Sequence, residues 1–388
     1  MSESNIMNTY GRFDVSFEKG IGCKLYDNDG IEYIDFVSGV AVNCLGHSHP
    51  SIIKAIEEQS KKVMHISNYY WNRKSIELAE KLCSLSEHDS VFFCNSGTEA
   101  IEVGVKIARK YGKVHGGESK NVIIYMEDSF HGRTMGALSI TGQKKYQEDF
   151  KPLIGGTKSV KFNNIKDLED KIDKNVCAVI IEPIQGEGGI NVASVEYLKG
   201  VKKLCEENDA LLIFDEVQCG IGRLGTLFAY EKFEVVPDVV CMAKALGGGF
   251  PIGAAMVNKK ASVFERGDHG STFGGNPLAS AVSLKILEEL VDEGVVNKVD
   301  EKSSYIISKL EVLKKKYSII EEIKGMGLLI GIKLKVDVKE FSKSCFKNKL
   351  LVVTAGKDVI RLLPPLNVEN EDIDKTVEIL DSVLKTYS

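Results

Sequence analysis

Two stretches carry a lysine and an acid where they could do chemistry together. Leu211-Leu-Ile-Phe-Asp215-Glu216-Val217-Gln218 and Val239-Val-Cys-Met-Ala-Lys244-Ala-Leu-Gly-Gly-Gly249 each open as a short apolar run, the pattern of a strand covered on both faces. Each delivers one charged residue to the strand's carboxyl end, Asp215 from the first and Lys244 just beyond the second. In open α/β sheets that edge is where ligands sit. A lysine desolvated there loses its proton and can attack a carbonyl carbon to form a Schiff base. A carboxylate nearby can keep a pyridine nitrogen protonated, as an electron-sink cofactor requires. The pair points to pyridoxal 5′-phosphate.

Other loops could serve that pair. Val91-Phe-Phe-Cys-Asn95-Ser96-Gly97-Thr98-Glu99-Ala100 reads as strand, tight turn and helix. Ser96 and Glu99 have capping-box spacing, so a helix is predicted to start beside Thr98. Its free amides and positive dipole end suit a phosphate dianion; a purely structural cap is the competing reading. Ser129-Phe130-His131-Gly132-Arg133-Thr134 follows a strand over 122–125. There Phe130 is either core or a platform for a flat ring, and Arg133 is a candidate carboxylate fork. An apolar strand over 177–181 ends in Glu182-Pro183-Ile184-Gln185-Gly186-Glu187-Gly188-Gly189, two acids in a glycine-rich loop. Ser67-Asn68-Tyr69-Tyr70-Trp71-Asn72 reads equally as a packed loop or a wall of the substrate pocket. His47 and His49 stand two apart without a carboxylate or cysteine at ligand spacing. They read as a Gly/Pro-punctuated turn near the site, and no metal is expected.

The elements that must position these residues follow from periodicity. Apolar strands alternate with helical stretches from about residue 45 to 265, which predicts an α/β fold with a mainly parallel sheet. Helices are predicted over 51–62 and 75–84, and an Asp-Gly turn with the alternating run after it predicts a hairpin within 24–36. Beyond residue 274 come helices over 278–291 and 299–316, a strand pair over 319–335, and a last helix carrying Ile373, Val377, Leu380 and Leu384. At 388 residues, two domains are the expectation. Residues 1–44 would form an N-terminal arm and part of a small domain, 45–273 a large cofactor-binding domain, and 274–388 the rest of a smaller α+β domain built from both chain ends.

Composition bounds the function classes. A net charge of −5, 43% hydrophobic and 27% charged residues fit a globular protein with no nucleic-acid footprint. The polar start lacks a leader pattern and no apolar run approaches a membrane span. Nine cysteines without a CxxC pair read as reduced core thiols in a cytoplasmic protein. Two rival motifs fall away. Leu211–Glu216 resembles a Walker-B strand, but no GxxxxGK[ST] accompanies it. Gly220-Ile-Gly222-Arg-Leu-Gly225 matches GxGxxG, yet polar residues separate it from its strand and no clear helix opens behind it.

Ser96-Gly97-Thr98-Glu99-Ala100, Phe130-His131-Gly132-Arg133-Thr134, Glu182-Pro183-Ile184-Gln185-Gly186-Glu187, Phe214-Asp215-Glu216-Val217-Gln218 and Ala243-Lys244-Ala245-Leu246-Gly247 occur in that order. Together they resemble class III (ω-amino) aminotransferases dependent on pyridoxal phosphate, over nearly the whole chain. Asn8–Phe13, Asn43–His47 and Ser67–Tyr70 resemble the acetylornithine branch of that family; Asp14, where that branch commonly has proline, departs from it. The resemblance implies a fold-type I homodimer that moves the δ-amino group of N2-acetylornithine to 2-oxoglutarate, a step of arginine biosynthesis. Ornithine, succinyldiaminopimelate and 4-aminobutyrate are the alternative donors. A non-catalytic relative is the reading from another class.

By the same resemblance, Lys244 would be the Schiff-base lysine and proton shuttle. Asp215 would pair with the pyridine nitrogen and Gln218 with the ring oxygen, while Phe130 and Val217 cover the two ring faces. Ser96, Gly97 and Thr98 would hold the phosphate, with His131 in the cofactor set and Thr272 reaching the partner subunit's phosphate. Arg361 would clamp the 1-carboxylate of 2-oxoglutarate, and Glu187 would neutralise it when the amine is bound. Arg133 would hold the distal carboxylate, and Ser271 would join the substrate-binding set.

Overall fold

The computed structural model describes residues 5–387. Near the N-terminus, β1 (Phe17–Ile21), β2 (Lys24–Asp27) and β3 (Glu32–Asp35) form an antiparallel meander. Asp27 closes its expected turn by accepting from the backbone N–H groups of Asp29 and Ile31 at 3.1 and 2.8 Å, the local bond that makes Asp a turn former.

The central sheet has seven strands: β4 (Ser90–Cys94), β5 (Val122–Met126), β6 (Thr157–Val160), β7 (Val176–Ile181), and, after the short hairpin of β8 (Ile184–Gln185) and β9 (Asn191–Val192), β10 (Leu211–Asp215), β11 (Val239–Met242) and β12 (Gly253–Val257). Their spatial order is β4-β12-β11-β10-β7-β5-β6. Every residue of β7, β10 and β11 is buried, as runs without alternation require. Only β12 runs against the rest, pairing antiparallel with both β11 and β4. It therefore begins at the edge where its neighbours end, and the loop entering it reaches the site.

Helices Pro50–Ser60, Arg73–Ser84 and Gly97–Gly116 cover this body, and Pro277–Leu287 packs on the first two. The predicted 278–291 helix ends early as regular α-helix, its last turn widening to π geometry over Glu288–Asp292. The C-terminal part adds β13 (Ile320–Met326), β14 (Leu329–Leu334), β15 (Leu350–Leu351), β16 (Val353–Ala355) and β17 (Val359–Leu362). Four of these form a sheet in the order β13-β14-β17-β16, while β15 joins the N-terminal meander in parallel with β3. Both chain ends thus meet in one body. Helices Val299–Lys316, Val338–Lys347 and Asn370–Lys385 pack around it.

Candidate active site

Parallel register explains why the acid and the lysine meet. Asp215 pairs with Cys241 across β10 and β11, and Phe214 pairs with Ile181 across β10 and β7. Asp215, Lys244 and Glu182 therefore emerge together at one sheet edge. They line a cavity of about 440 Å³ with Ser96, Gly97, Thr98, Phe130, His131, Arg133, Glu187, Val217 and Gln218. Residues Gly249–Ile252, entering β12, complete its wall.

Lys244 is half-buried on the cavity wall and has a φ of +45°, a left-handed conformation uncommon outside glycine. Burial, and then the positive charge of Arg361, push its pKa down to about 8. Asp215 accepts from the Val217 amide at 3.0 Å and meets Nδ1 of His131 at 2.7 Å. The other ring nitrogen of His131 is buried without a partner among the described residues.

At the head of the Gly97–Gly116 helix, Ser96 Oγ accepts from the Glu99 amide at 3.3 Å. The reciprocal half of the expected capping box is displaced. The Glu99 carboxylate takes the backbone and side-chain N–H groups of Asn95 instead, at 2.8 and 2.9 Å. With Glu99 satisfied by the cap, the amides of Gly97 and Thr98 remain for an anion at the helix head. Gly97 is needed for space: a Cβ there would come within 2.7 Å of Val217. Val217 thus sits directly beside the anion-binding turn.

The opposite end of the cavity is built from loops. Arg361, on β17, is 1% exposed. Its Nη1 contacts Glu187 Oε1 at 2.7 Å and donates to Gln218 Oε1 at 2.8 Å and to the Gly186 carbonyl at 3.1 Å. The clamp predicted for an oxo acid is therefore covered by Glu187 and lies behind the cavity wall. Gln218 serves Arg361 through its carbonyl oxygen in this arrangement. Burial raises the Glu187 pKa, but Arg361, with Lys244 and Gln218 beside it, outweighs burial and holds the carboxyl below its usual range. Arg133 lies over the ring of Tyr146, 3.8 Å from its centroid, with Phe130 on another side.

Ser271 and Thr272 stand outside this chain's cavity. Ser271 Oγ accepts from Asn95 and from the Gly274 amide, at 3.2 and 3.0 Å, and Thr272 is exposed. The aromatic stretch also points away: Tyr69 and Trp71 are 95% and 92% exposed. His47 pairs with Asp35 at 2.7 Å. The Gly220–Gly225 turn grips the C-terminal part, where Arg223 Nη1 donates to the carbonyls of Leu328 and Pro364 at 3.1 and 2.5 Å.

One site residue carried no assigned role in the sequence reading. Glu182 accepts from the Phe130 amide at 3.0 Å, tying that loop to the sheet edge. Burial, and then the charge of Asp215, raise its pKa well above the ordinary carboxylate value. The signal that could have found it is its place immediately after an apolar strand, the same placement that picked out Asp215.

Comparison with known proteins agrees with this geometry. The family model for "Aminotransferase class-III" matches residues 6–384. The acetylornithine aminotransferase of Clostridium acetobutylicum is 65% identical across 99% of this chain and 100% of its own. Among solved structures, N-acetylornithine aminotransferase from Stenotrophomonas maltophilia superposes with a TM-score of 0.86 at 36% identity, covering 97% of each chain. Ornithine aminotransferase from Toxoplasma gondii superposes with a TM-score of 0.94 at 31% identity, covering 99% of this chain and 93% of its own. The cavity suits pyridoxal 5′-phosphate on its own terms: a half-buried lysine with a lowered pKa, a carboxylate oriented by two hydrogen bonds, and a capped helix head with amides to spare. The chain belongs to the class-III aminotransferases, enzymes that work with that cofactor.

Proposed function

We propose that the protein transfers the δ-amino group of N2-acetylornithine to 2-oxoglutarate, giving N-acetylglutamate 5-semialdehyde and glutamate in arginine biosynthesis. The observation that carries this reading is the enclosed Glu187–Arg361 pair. An enzyme that accepts an ω-amine and then a dicarboxylic oxo acid must hide one cation from the first and offer it to the second. Glu187 can do both by leaving or rejoining Arg361. The 65% identity to a full-length relative named acetylornithine aminotransferase favours the acetylated donor.

When bound, the cofactor supplies the electron sink that makes the nitrogen-bearing carbon acidic. Lys244, whose pKa burial lowers to about 8 so that it gives up its proton more readily than an ordinary lysine, carries the proton to and from that carbon. Asp215, steadied by His131 and the Val217 amide, holds the proton of the pyridine nitrogen. Ser96, Gly97 and Thr98 receive the phosphate, and Phe130 and Val217 confine the ring. Arg361 grips the oxo acid's 1-carboxylate bidentately once Glu187 withdraws, and Arg133 holds the distal carboxylate of either substrate.

The working form we propose is a cytoplasmic homodimer. Exposed Tyr69, Tyr70, Trp71 and Phe273 would be covered there, and Thr272 and Ser271 would reach the neighbouring site. Residues 45–273 would form the large domain, with 1–44 and 274–388 giving the smaller one; the β3–β15 pairing supports that union of chain ends.

The test is the visible absorption of the purified holoenzyme. N-acetylornithine without oxo acid should bleach the cofactor band, and 2-oxoglutarate should restore it. Bleaching by ornithine or another ω-amine alone would move the donor. A band indifferent to every amine would end the reading.

A further inference from the structure

The turn that carries Glu187 is held from two sides by one row of the C-terminal sheet. Lys324 on β13 pairs with Gly331 on β14, and Gly331 pairs with Arg361 on β17. Residues directly opposite in antiparallel strands project from the same face, so Lys324 and Arg361 flank a position that has no side chain. Val359 of β17 and Ile190 of the hairpin share that gap: a Cβ on Gly331 would come within 2.9 Å of Val359 Cγ1 and 3.0 Å of Ile190 Cγ1. The hairpin thus sits over Gly331 with a cation on either side.

The two cations hold different atoms. Arg361 takes the Glu187 carboxylate and the Gly186 carbonyl. Lys324 Nζ donates to the Gly189 carbonyl at 3.0 Å and to Asn191 Oδ1 at 2.8 Å. Asn191 in turn donates to Gln185 Oε1 at 3.2 Å and to the Gly188 carbonyl at 3.1 Å, closing the turn on itself. A hairpin of two residues per strand is marginal alone, and this one also bears a β-branched residue at positive φ, Ile190 at +54°. It needs outside anchors.

We propose that Lys324 is a positioning residue that keeps the Glu187 turn seated while Glu187 itself leaves and rejoins Arg361, and so sets the balance between amine and oxo-acid half-reactions. This rests on the switch reading of Glu187. When an oxo acid occupies Arg361, the turn loses its carboxylate anchor. The Lys324 bonds go to neutral oxygens that take no part in the exchange, so they persist. Without them the turn is left to the Gly356 amide on the Glu187 carbonyl, at 2.9 Å, and to Gln185 on the Glu127 carbonyl, at 2.7 Å, and re-covering Arg361 for the amine becomes the weak step.

The test uses the holoenzyme of wild type, Lys324→Met, Lys324→Arg and Glu187→Gln. Hydrogen exchange over residues 186–191 should speed up in Lys324→Met, most with 2-oxoglutarate present, while Asp215–Gln218 stay protected. Single-turnover spectra should show the amine half-reaction of Lys324→Met falling about tenfold relative to the oxo-acid half-reaction, the scale of one lost charged hydrogen bond. Lys324→Arg should restore most of that ratio. Unchanged exchange in the turn, or equal loss in both half-reactions, overturns the role of Lys324. If Glu187→Gln itself leaves the ratio unchanged, the switch reading falls instead.

Discussion

The two ends of the cavity are built by different means, and two glutamates five residues apart display the difference. Glu182 sits at the end of β7, locked by parallel register beside Asp215, and burial with that neighbouring charge drives it toward the neutral acid. Glu187 sits on a short turn against Arg361, which keeps it ionised despite burial. In the proposed mechanism the same side chain is thus a fixed brace at one end and an exchangeable counter-ion at the other. Environment assigns the role. Under that mechanism the groups that keep their partners stand on strand ends, where packing fixes geometry, and those that exchange partners stand on a turn and on a separate sheet.

If the strand end is the chemical end, breaking it should cost most. Lys244→Ala should lose the visible cofactor band and lower turnover by about 10⁴-fold, the scale of a lost proton-transfer group. The same lysine gives a pH signature. Its pKa near 8 means the amine is protonated below and free above. Cofactor uptake by the apoenzyme should therefore rise with pH and level off above that value. Uptake that is still climbing at about pH 10, with no levelling above 8, would mean that burial does not lower this lysine.

At the exchangeable end the effects should be smaller and lopsided. Arg361→Ala should weaken the 2-oxoglutarate half-reaction by about 100-fold, the cost of truncating one partner of an enclosed charged pair. The amine half-reaction should lose much less, because the cation that burdened it is gone. Glu187→Gln should act in the opposite sense, lowering the oxo-acid KM and slowing the amine half-reaction by about tenfold. Matching losses in both half-reactions for either variant would erase the contrast between the two ends.

Much of the strand end was legible in the sequence. Asp215, Lys244 and the Ser96–Thr98 turn follow short apolar runs, and a strand's carboxyl end is a position that periodicity can find. The long-range partners were not legible in periodicity or spacing; the resemblance alone named Glu187 as the partner of Arg361, and Gln218 was expected at the ring oxygen instead. Nothing local to Arg361 says that Glu187 and Gln218 will cover it, because a register across β14 and β17 brings it to the hairpin. The reversal of β12 depends likewise on a pairing remote in the chain, whereas the union of the chain ends was expected and the pairing of β3 with β15 supplies it. The helix start and the Ser96 half of the capping box formed as expected, and only the reciprocal half failed, for a nearer reason. Asn95 offers Glu99 two donors, one backbone and one side-chain, and so outcompetes the reciprocal capping bond to Ser96.

The smallest effect tests the brace itself. Glu182→Gln keeps an oxygen that can accept from the Phe130 amide and loses only the titrating proton. If Glu182 is neutral in the folded enzyme, turnover near neutrality should change by less than about fivefold. Stability carries the sharper signal. A carboxyl whose pKa is raised on folding binds its proton more tightly in the native state. Its stabilisation is fully present below the unfolded pKa, about 4.3, and is lost as pH rises through the folded value. Glutamine has no proton to lose. Melting temperatures of wild type and Glu182→Gln should therefore lie close together in acid and separate as pH rises, the variant becoming the more stable. Separation in the other direction, with wild type gaining on the variant as pH climbs, would mean that Glu182 is ionised. The two glutamates would then differ in partner alone, and the strand end would hold two adjacent negative charges facing one lysine.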